Sequence, residues 1–206
     1  MVSPLVHDGH VAGYLKGRLR REDIIAAAME VYREAGYHGS SLREIAKRAN
    51  LTHAGLIYYF PTKEALLAAV LERRDVEDTE REKLDTTPPG LEVLHHFLAI
   101  VEHNTRNPGV VDLYTRLAAE AVAADHPAHA YFERHYRVAR DSAESTFRAL
   151  SERGELRAGV DPVMAALTFI ALWDGLQVQW LTNQAEVDMV GSIRTHLQNL
   201  LTVPLD

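Results

Sequence analysis

The sequence predicts an all-α protein, with a small N-terminal helical domain followed by a larger C-terminal helical bundle. Apolar residues recur at helical spacing along nearly the whole chain, and no segment shows the strict alternation that is typical of a half-buried strand. Proline and glycine divide this pattern into pieces of helical length. Because 47% of the 206 residues are hydrophobic, the chain can fill a sizeable core. We expect about nine helices.

The first predicted helix spans about residues 22–35. Its apolar face includes Ile24, Ala28 and Tyr32, and Gly36 supplies a C-terminal stop. Residues 1–20 precede this apolar stripe and are expected to form a flexible N-terminal arm.

Three further helices follow in the N-terminal part of the chain. Ser41 and Glu44 form a capping box at the start of a second helix that lasts barely two turns. Asn50 tolerates the left-handed conformation that a tight turn requires. Thr52 can cap a third short helix, which runs to about residue 59, and Lys63 then opens a long fourth helix.

Loops containing proline or glycine separate the predicted helices of the C-terminal part. The clearest loop spans residues 85–90. The helices beyond it are predicted at about 91–106, 110–124, 128–152, 162–182 and 187–201. The domain organisation is therefore expected to be an arm at 1–20, a helical head at 21–65 and a bundle at 66–206.

The charge distribution favours a nucleic-acid partner for the head alone. The whole chain carries a net charge of −7, but residues 1–63 hold nine basic against six acidic side chains, so the remaining residues hold thirteen against twenty-three. A basic head on an acidic body is typical of a DNA-binding domain joined to a domain that stays off DNA. The chain has no cysteine, signal peptide or membrane-spanning stretch, which indicates a cytoplasmic protein.

Two short helices joined by about three residues form a helix-turn-helix pattern, whose second helix would enter a major groove of DNA. The run SLREIAKRANLTHAGLIYYFPTKEALL, with its flanks over residues 24–67, strongly resembles the TetR family of bacterial repressors. The matching positions are Ala28, Tyr32, Gly36, Ile45, Ala46, Leu56, Phe60, Lys63 and Leu66. The resemblance implies a homodimeric repressor that binds a pseudo-palindromic operator and is released when a small molecule shifts the fourth helix.

The residues of this motif divide into core positions and exposed candidates for DNA contact. Ile24, Ala28, Tyr32, Ile45, Leu56, Phe60 and Leu66 are predicted to be core. The predicted DNA-binding residues are Ser41, Arg43, Thr52, His53, Ala54, Gly55, Tyr58, Tyr59 and Lys63.

Different roles are expected within this DNA-binding set. The resemblance places Lys63 on a phosphate, and a cation beside helix N-terminal amides forms an anion site. Tyr58 and Tyr59 would position the protein on the backbone, while His53 is expected to read a base edge. Thr52 is either a helix cap or a DNA contact, and packing is the alternative role for Tyr59.

Two positions depart from the family pattern. The family most often has Thr where Gly55 stands and Tyr where Ile57 stands, which puts the half-site sequence in doubt. Arg18, Arg20 and Arg21 would reach an adjacent groove from a flexible arm, or are simply solvated.

The last two predicted helices, about 162–182 and 187–201, are expected to pair with a second copy of the chain. The first is apolar on nearly every face, and Gly175 would allow a close helix crossing. The second carries an apolar stripe that includes Ile193, Leu197 and Leu201. Asp174 lies inside the first helix and needs either a basic partner or exposure at a pocket mouth.

The resemblance also implies a ligand pocket in the C-terminal bundle. The candidate pocket residues are Phe97, Val101, Tyr114, Leu117, Tyr136, Phe169, Trp173 and Gln177. The alternative for each of them is an ordinary core position. The sequence does not identify the small-molecule effector.

Two alternative functions stay open at this point. His95 and His103 lie two turns apart on one predicted helix, so a metal-dependent enzyme in the bundle is the first alternative, although no catalytic signature or cofactor motif supports it. The second alternative keeps the DNA-binding head but makes the protein an activator or a constitutive DNA binder.

Overall fold

The computed structural model describes residues 8–84 and 86–205. Over these ranges the chain forms α-helices and no strand, which confirms the predicted all-α class. The helices are α1 Asp8–Gly39, α2 Leu42–Arg48, α3 His53–Tyr59, α4 Lys63–Arg81, α5 Leu91–Thr105, α6 Pro108–Glu120, α7 His129–Glu152, α8 Pro162–Thr182 and α9 Met189–Leu200. None of the described helices is long and apolar enough to cross a bilayer.

Helix α1 begins much earlier than the sequence predicts. It starts at Asp8, so most of the predicted arm is helical, while residues 1–7 lie outside the described part of the chain. Apolar periodicity could not reveal this extension over residues 15–23, because Leu15 and Leu19 are exposed and Ile24 is the first buried residue after position 15. The helical path is interrupted at Gly36, whose φ of 70° is the predicted stop. The flexibility of the arm stays a prediction.

The chain divides into two compact units between Arg73 and Arg74, within α4. The predicted boundary after residue 65 lies earlier on the same helix. In the first unit, apolar faces of the helices bury a continuous set of side chains, and this set includes every predicted core residue. Those predicted residues are Ile24, Ala28, Tyr32, Ile45, Leu56, Phe60 and Leu66.

The second unit is a helical bundle built around α8. Helix α7 packs along α8, and α9 lies against both α5 and α8. The shared core includes Leu94, Phe97, Val101, Phe147, Leu150, Ala166, Phe169, Ile193 and Leu197. This unit therefore places one face of α5, from Val93 to Val101, and the middle of α8 in one apolar interior.

The C-terminal tail after α9 is hydrogen-bonded to the rest of this unit. Backbone hydrogen bonds join Arg157 N to Leu200 O and Thr202 N to Glu155 O, each at 2.9 Å. The Gln198 side chain accepts from the Leu205 backbone N–H at 2.8 Å, and Leu205 itself is buried. The tail therefore contributes to the core.

Helix α5 starts where the backbone at Gly90 lies close to the Arg153 side chain. Gly90 precedes the helix with a φ of 155°, and a Cβ placed there would clash with an Arg153 guanidinium nitrogen. The same guanidinium donates to the Pro89 carbonyl at 2.6 Å. Only glycine fits this position without displacement of the arginine.

Candidate functional site

Helices α2 and α3 each begin with a side-chain cap, and a tight turn joins them. The Ser41 side chain accepts from Glu44 N at 3.2 Å, and Thr52 accepts from Gly55 N at 3.0 Å. Between the helices, Asn50 has a φ of 54°, which confirms the predicted left-handed turn residue. Leu51 N donates back to Ala46 O at 2.8 Å, so the turn is closed by a backbone hydrogen bond.

The two helices bury one side and expose the other. Ile45, Ala46 and Leu56 are buried, whereas Arg43 and His53 are exposed. The candidate contact residues that lie exposed are Ser41, Arg43, Thr52, His53, Ala54 and Tyr58, and those that are half-buried are Gly55, Tyr59 and Lys63. This arrangement leaves the N-terminal turn of α3 open to a partner molecule.

Two tyrosines close the C-terminal end of α3. Tyr58 is 83% exposed, and its ring meets the Tyr59 ring edge to face with centroids 5.2 Å apart. Half-burial of Tyr59 fits the packing alternative for that residue, while Tyr58 projects an aromatic hydroxyl into solvent.

Lys63 begins α4 as predicted, but its ammonium group forms hydrogen bonds within the first unit. Its Nζ donates to the backbone carbonyls of Tyr37 at 2.5 Å and Ser40 at 2.8 Å, and it lies 4.3 Å from the centre of the Tyr37 ring. Burial lowers the pKa of Lys63. Two of the three N–H donors therefore hold the connection between α1 and α2, a role that local sequence spacing does not reveal.

Other basic side chains of the first unit differ in how far they are engaged. Arg48 forms a bidentate ion pair with Glu34, in which its two terminal nitrogens lie 2.7 and 2.8 Å from the carboxylate oxygens. Arg21 lies over the Phe60 ring at 4.9 Å. Arg43 and Lys47 are exposed on α2, and they are the cations of that helix best placed for a polyanion.

The predicted pocket residues fall into three groups in the second unit. Phe97, Phe169 and Trp173 form an aromatic contact set, with ring centroids 5.5 to 6.3 Å apart. Tyr114 packs edge to face against Phe132 at 5.0 Å. Val101, Leu117 and Gln177 are buried, whereas Tyr136 and Trp173 are half-buried.

Asp174 has a tyrosine as its hydrogen-bond partner, and a basic side chain of the predicted kind, His135, lies nearby. The Tyr136 hydroxyl donates a hydrogen bond to the carboxyl group, and a nearby His135 favours its charged form. Burial dominates and raises the pKa of Asp174. The carboxyl is thus a half-buried acceptor that shares its neighbourhood with Tyr114, whose pKa burial also raises.

A polar cluster that the sequence analysis missed joins the end of α4 to α5, α6 and α7. Arg74 donates to Asn104 Oδ1 at 3.2 Å and lies 4.9 Å from the Tyr114 ring centre. Asp75 accepts from the Tyr131 hydroxyl at 2.8 Å and lies 3.1 Å from His135 Nδ1. The only local signal was the pairing of Tyr131 and His135 one turn apart on α7.

The metal hypothesis gains no geometric support from the described residues. Within them, no three His, Asp or Glu side chains are placed to hold a metal ion. His95 is exposed, and His103 Nε2 lies 3.3 Å from the Asn107 side-chain nitrogen.

Helix α8 leaves an apolar face uncovered, whereas α9 does not. Met164, Leu167 and Val178 are each about half exposed, and no atom lies within 4 Å of a Cβ placed on Gly175. The apolar stripe expected to pair α9 with a second copy is instead turned inward. Ile193, Leu197 and Leu201 are fully buried in their own unit, because they pack with α5 and α8.

Comparisons with known proteins agree over both units. Residues 24–70 match the model for bacterial regulatory proteins of the tetR family, and residues 89–202 match the C-terminal model of BetI-type transcriptional repressors. The A-factor receptor protein of Streptomyces griseus is 26% identical over 185 residues, which are 86% of this chain and 61% of the receptor. The HTH-type transcriptional regulator RutR of Escherichia coli is 41% identical over 54 residues, 26% of each protein.

The matched segments thus span less than two thirds of either relative. Among solved structures, SmeT, the repressor of the Stenotrophomonas maltophilia multidrug efflux pump SmeDEF, has a TM-score of 0.69 and 22% identity. That likeness covers 90% of this chain and 92% of SmeT, and it shows that the two share a fold.

Proposed function

This chain belongs to the TetR family of bacterial transcriptional regulators, and from that premise we propose that it is a repressor that binds a pseudo-palindromic operator as a homodimer and is released by a small molecule. The observation that carries the proposal is the capped helix-turn-helix of α2 and α3. Its apolar side is buried, and its exposed N-terminal turn of α3 offers His53 and Ala54 to a groove.

The side chains around this turn would have two roles, contact with base edges and contact with the DNA phosphates. His53 is exposed in the first turn of α3, where ring nitrogens reach base edges. Arg43, Tyr58 and the remaining N–H of Lys63 suit phosphates. Thr52 and Ser41 serve as helix caps, and their hydroxyls still have donor capacity for a phosphate oxygen.

The exposed apolar face of α8 supports a dimer built mainly on this helix. Gly175 allows a close crossing of two symmetry-related α8 helices, and Met164, Leu167 and Val178 flank it. Helix α9 contributes its polar side, including Arg194 and Thr195, because its apolar stripe is already buried. Two recognition helices held in this way would contact successive major grooves, one helical turn of DNA apart.

The aromatic and polar interior of the second unit supports an effector site. Small-molecule sites are mainly apolar, with a few placed polar groups, and Phe97, Phe169 and Trp173 lie in the same unit as the Tyr136–Asp174 pair. The polar cluster around Arg74 and Asp75 belongs to α4, which continues back to Lys63. A ligand that rearranged this cluster would act directly on the helix that follows the DNA-binding motif.

Selection of bound sequences from randomised duplex DNA tests the operator half of the proposal. We expect a palindromic site with a half-site spacing of about 10 base pairs or a multiple of it. His53→Ala should relax preference at one position of each half-site. Arg43→Ala should reduce the salt slope of binding by about 1.8, because each subunit of the dimer loses one phosphate contact. Matched controls are His95→Ala and Arg137→Ala, both exposed residues of the second unit, which should change neither quantity.

The other outcomes distinguish the alternatives. Enrichment of an asymmetric site, or of none, would contradict operator binding by a dimer. Transcription from the selected site in vitro separates repressor from activator, because an activator raises transcript yield. For the dimer, sedimentation of Leu167→Glu should show a shift towards monomer, and Val138→Glu at an exposed position of α7 is the control.

A further inference from the structure

Several buried polar atoms of the second unit have no hydrogen-bond partner among the described residues, and two of them, on Trp173 and Tyr114, belong to the predicted pocket residues. The others are on His96, Thr115, Glu155 and His196. Trp173 Nε1 and the Tyr114 hydroxyl are both inaccessible to solvent, and neither finds a hydrogen-bond partner among the described residues. Buried polar groups are nearly always hydrogen-bonded, so an orphaned donor marks a position where a water molecule or a ligand can supply the acceptor. Indole nitrogen is a donor only, and the partner of Trp173 must therefore be an acceptor.

The surroundings of Trp173 are apolar but within reach of solvent. Its ring lies 5.7 Å from Phe169 and 6.3 Å from Phe97, and Gln177 lies buried one turn further along α8. The residue as a whole is half-buried, as is Tyr136. A molecule that packs against these rings would contact the indole N–H on the edge of the Trp173 ring.

The charged groups of this interior disfavour a charged ligand. Arg74 is engaged by Asn104 and by the Tyr114 ring, so it is not available to neutralise an anion. Asp174 adds negative potential, and it already accepts from Tyr136. A cation would suit Asp174, but it supplies no acceptor to the two orphaned donors.

From these observations we propose that the second unit binds an uncharged, largely apolar molecule whose carbonyl oxygen accepts a hydrogen bond from Trp173 Nε1. Ketones and esters are the chemical class that meets this requirement. The inference rests on the effector site of the proposed function and names the chemistry of its ligand.

The test uses four small probes that share a phenyl ring and a three-carbon chain. Propiophenone carries the carbonyl group, propylbenzene has a methylene in its place, 3-phenylpropanoate is the anion and 3-phenylpropylammonium is the cation. Calorimetric titration of the full-length protein should show propiophenone binding about tenfold more tightly than propylbenzene, as one net hydrogen bond requires. The two charged probes should bind more weakly than propiophenone.

A direct readout comes from the indole proton. The chain contains two tryptophans, Trp173 and Trp180, so Trp180→Phe leaves a single indole N–H signal in a nitrogen-correlated proton spectrum. Propiophenone should move this signal downfield and slow its exchange with solvent, whereas propylbenzene should not move it downfield. Trp173→Phe keeps the ring but removes the donor, and it should abolish the tenfold preference while propylbenzene still binds.

Several results would overturn the proposal. They are equal binding of propiophenone and propylbenzene, tighter binding of either charged probe, an indole signal that does not move with propiophenone, a preference that survives Trp173→Phe, or no binding of any probe. Unaltered far-ultraviolet circular dichroism of the variants checks that they are folded. DNA selection is independent of this result, since an operator can emerge whichever probe binds.

Discussion

Replacement of Lys63 by methionine tests how the helix-turn-helix is held on its own unit. Methionine keeps most of the apolar stem but removes the ammonium group, which donates to the carbonyls of Tyr37 and Ser40 and lies over the Tyr37 ring. The Tyr37 carbonyl lies at the end of α1, and the Ser40 carbonyl lies in the connection from α1 to α2. The variant should therefore loosen that connection and lower the free energy of unfolding of the first unit.

The magnitude follows from the contacts that are lost. A hydrogen bond to a charged group contributes roughly 1.5–3 kcal/mol, and a cation–π contact at an exposed site roughly 0.5–1 kcal/mol. Lys63 is half-exposed, so water replaces part of each interaction. We expect a net loss of about 2 kcal/mol, which for a chain of this size lowers Tm by about 4–8 °C.

Urea unfolding followed by circular dichroism is the assay, since both tryptophans lie in the second unit and their fluorescence would miss the first. Lys47→Met, at an exposed position of α2, is the matched control and should stay within about 0.5 kcal/mol of the parent protein. Equal unfolding midpoints for the two variants would refute the reasoning. Lys63 would also contact a phosphate if the salt slope of DNA binding falls by about 1.8, one contact for each subunit of the dimer, at a temperature where Lys63→Met is folded.

Three further predictions concern single positions. Burial raises the pKa of Asp174, so the folded state holds the proton more tightly than the unfolded state, and this group's contribution to stability falls as pH rises through its folded pKa. Asp174→Asn should therefore raise the urea midpoint at pH 7 but not below about pH 3.8, and no gain at pH 7 would contradict this. Gly90→Ala should lower the free energy of unfolding by more than about 1 kcal/mol, measured by thermal unfolding. The double variant Gly90→Ala, Arg153→Ala removes the clash between the new Cβ and the guanidinium, so it should regain the part of the loss that this clash causes, but not the part caused by the backbone conformation. Asn50→Ala should lower the unfolding free energy by roughly 1 kcal/mol, while Asn50→Gly should leave it near the parent value, and a reversed order would show that the turn is not left-handed.

Features of the fold that depend on neighbouring residues could be predicted from the sequence. The caps at Ser41 and Thr52, the turn at Asn50 and the stop at Gly36 depend on contacts within a few residues, and the structure has all four. The predicted core of the first unit is also buried, because apolar periodicity reports the inward face of a helix directly.

Features that depend on distant partners could not be predicted in this way. Lys63 meets carbonyls more than twenty residues away, and Asp75 meets Tyr131 across 56 positions. Spacing within one helix says nothing about such partners. The same limit explains α9, because its stripe shows that one face is buried but not whether the covering surface belongs to the same subunit or to a second one.

The fastened C-terminal tail has a consequence for how the chain tolerates cleavage. The connection between α8 and α9 is exposed over residues 183–186, where a protease can reach it. A cut there would leave α9 held by Ile193 and Leu197 in the core and by the tail bonds to Glu155 and Arg157. The shorter piece would then remain as a noncovalent complement of the longer one. Expressed separately, the two fragments are expected to reassemble, which would make effector binding conditional on the presence of both.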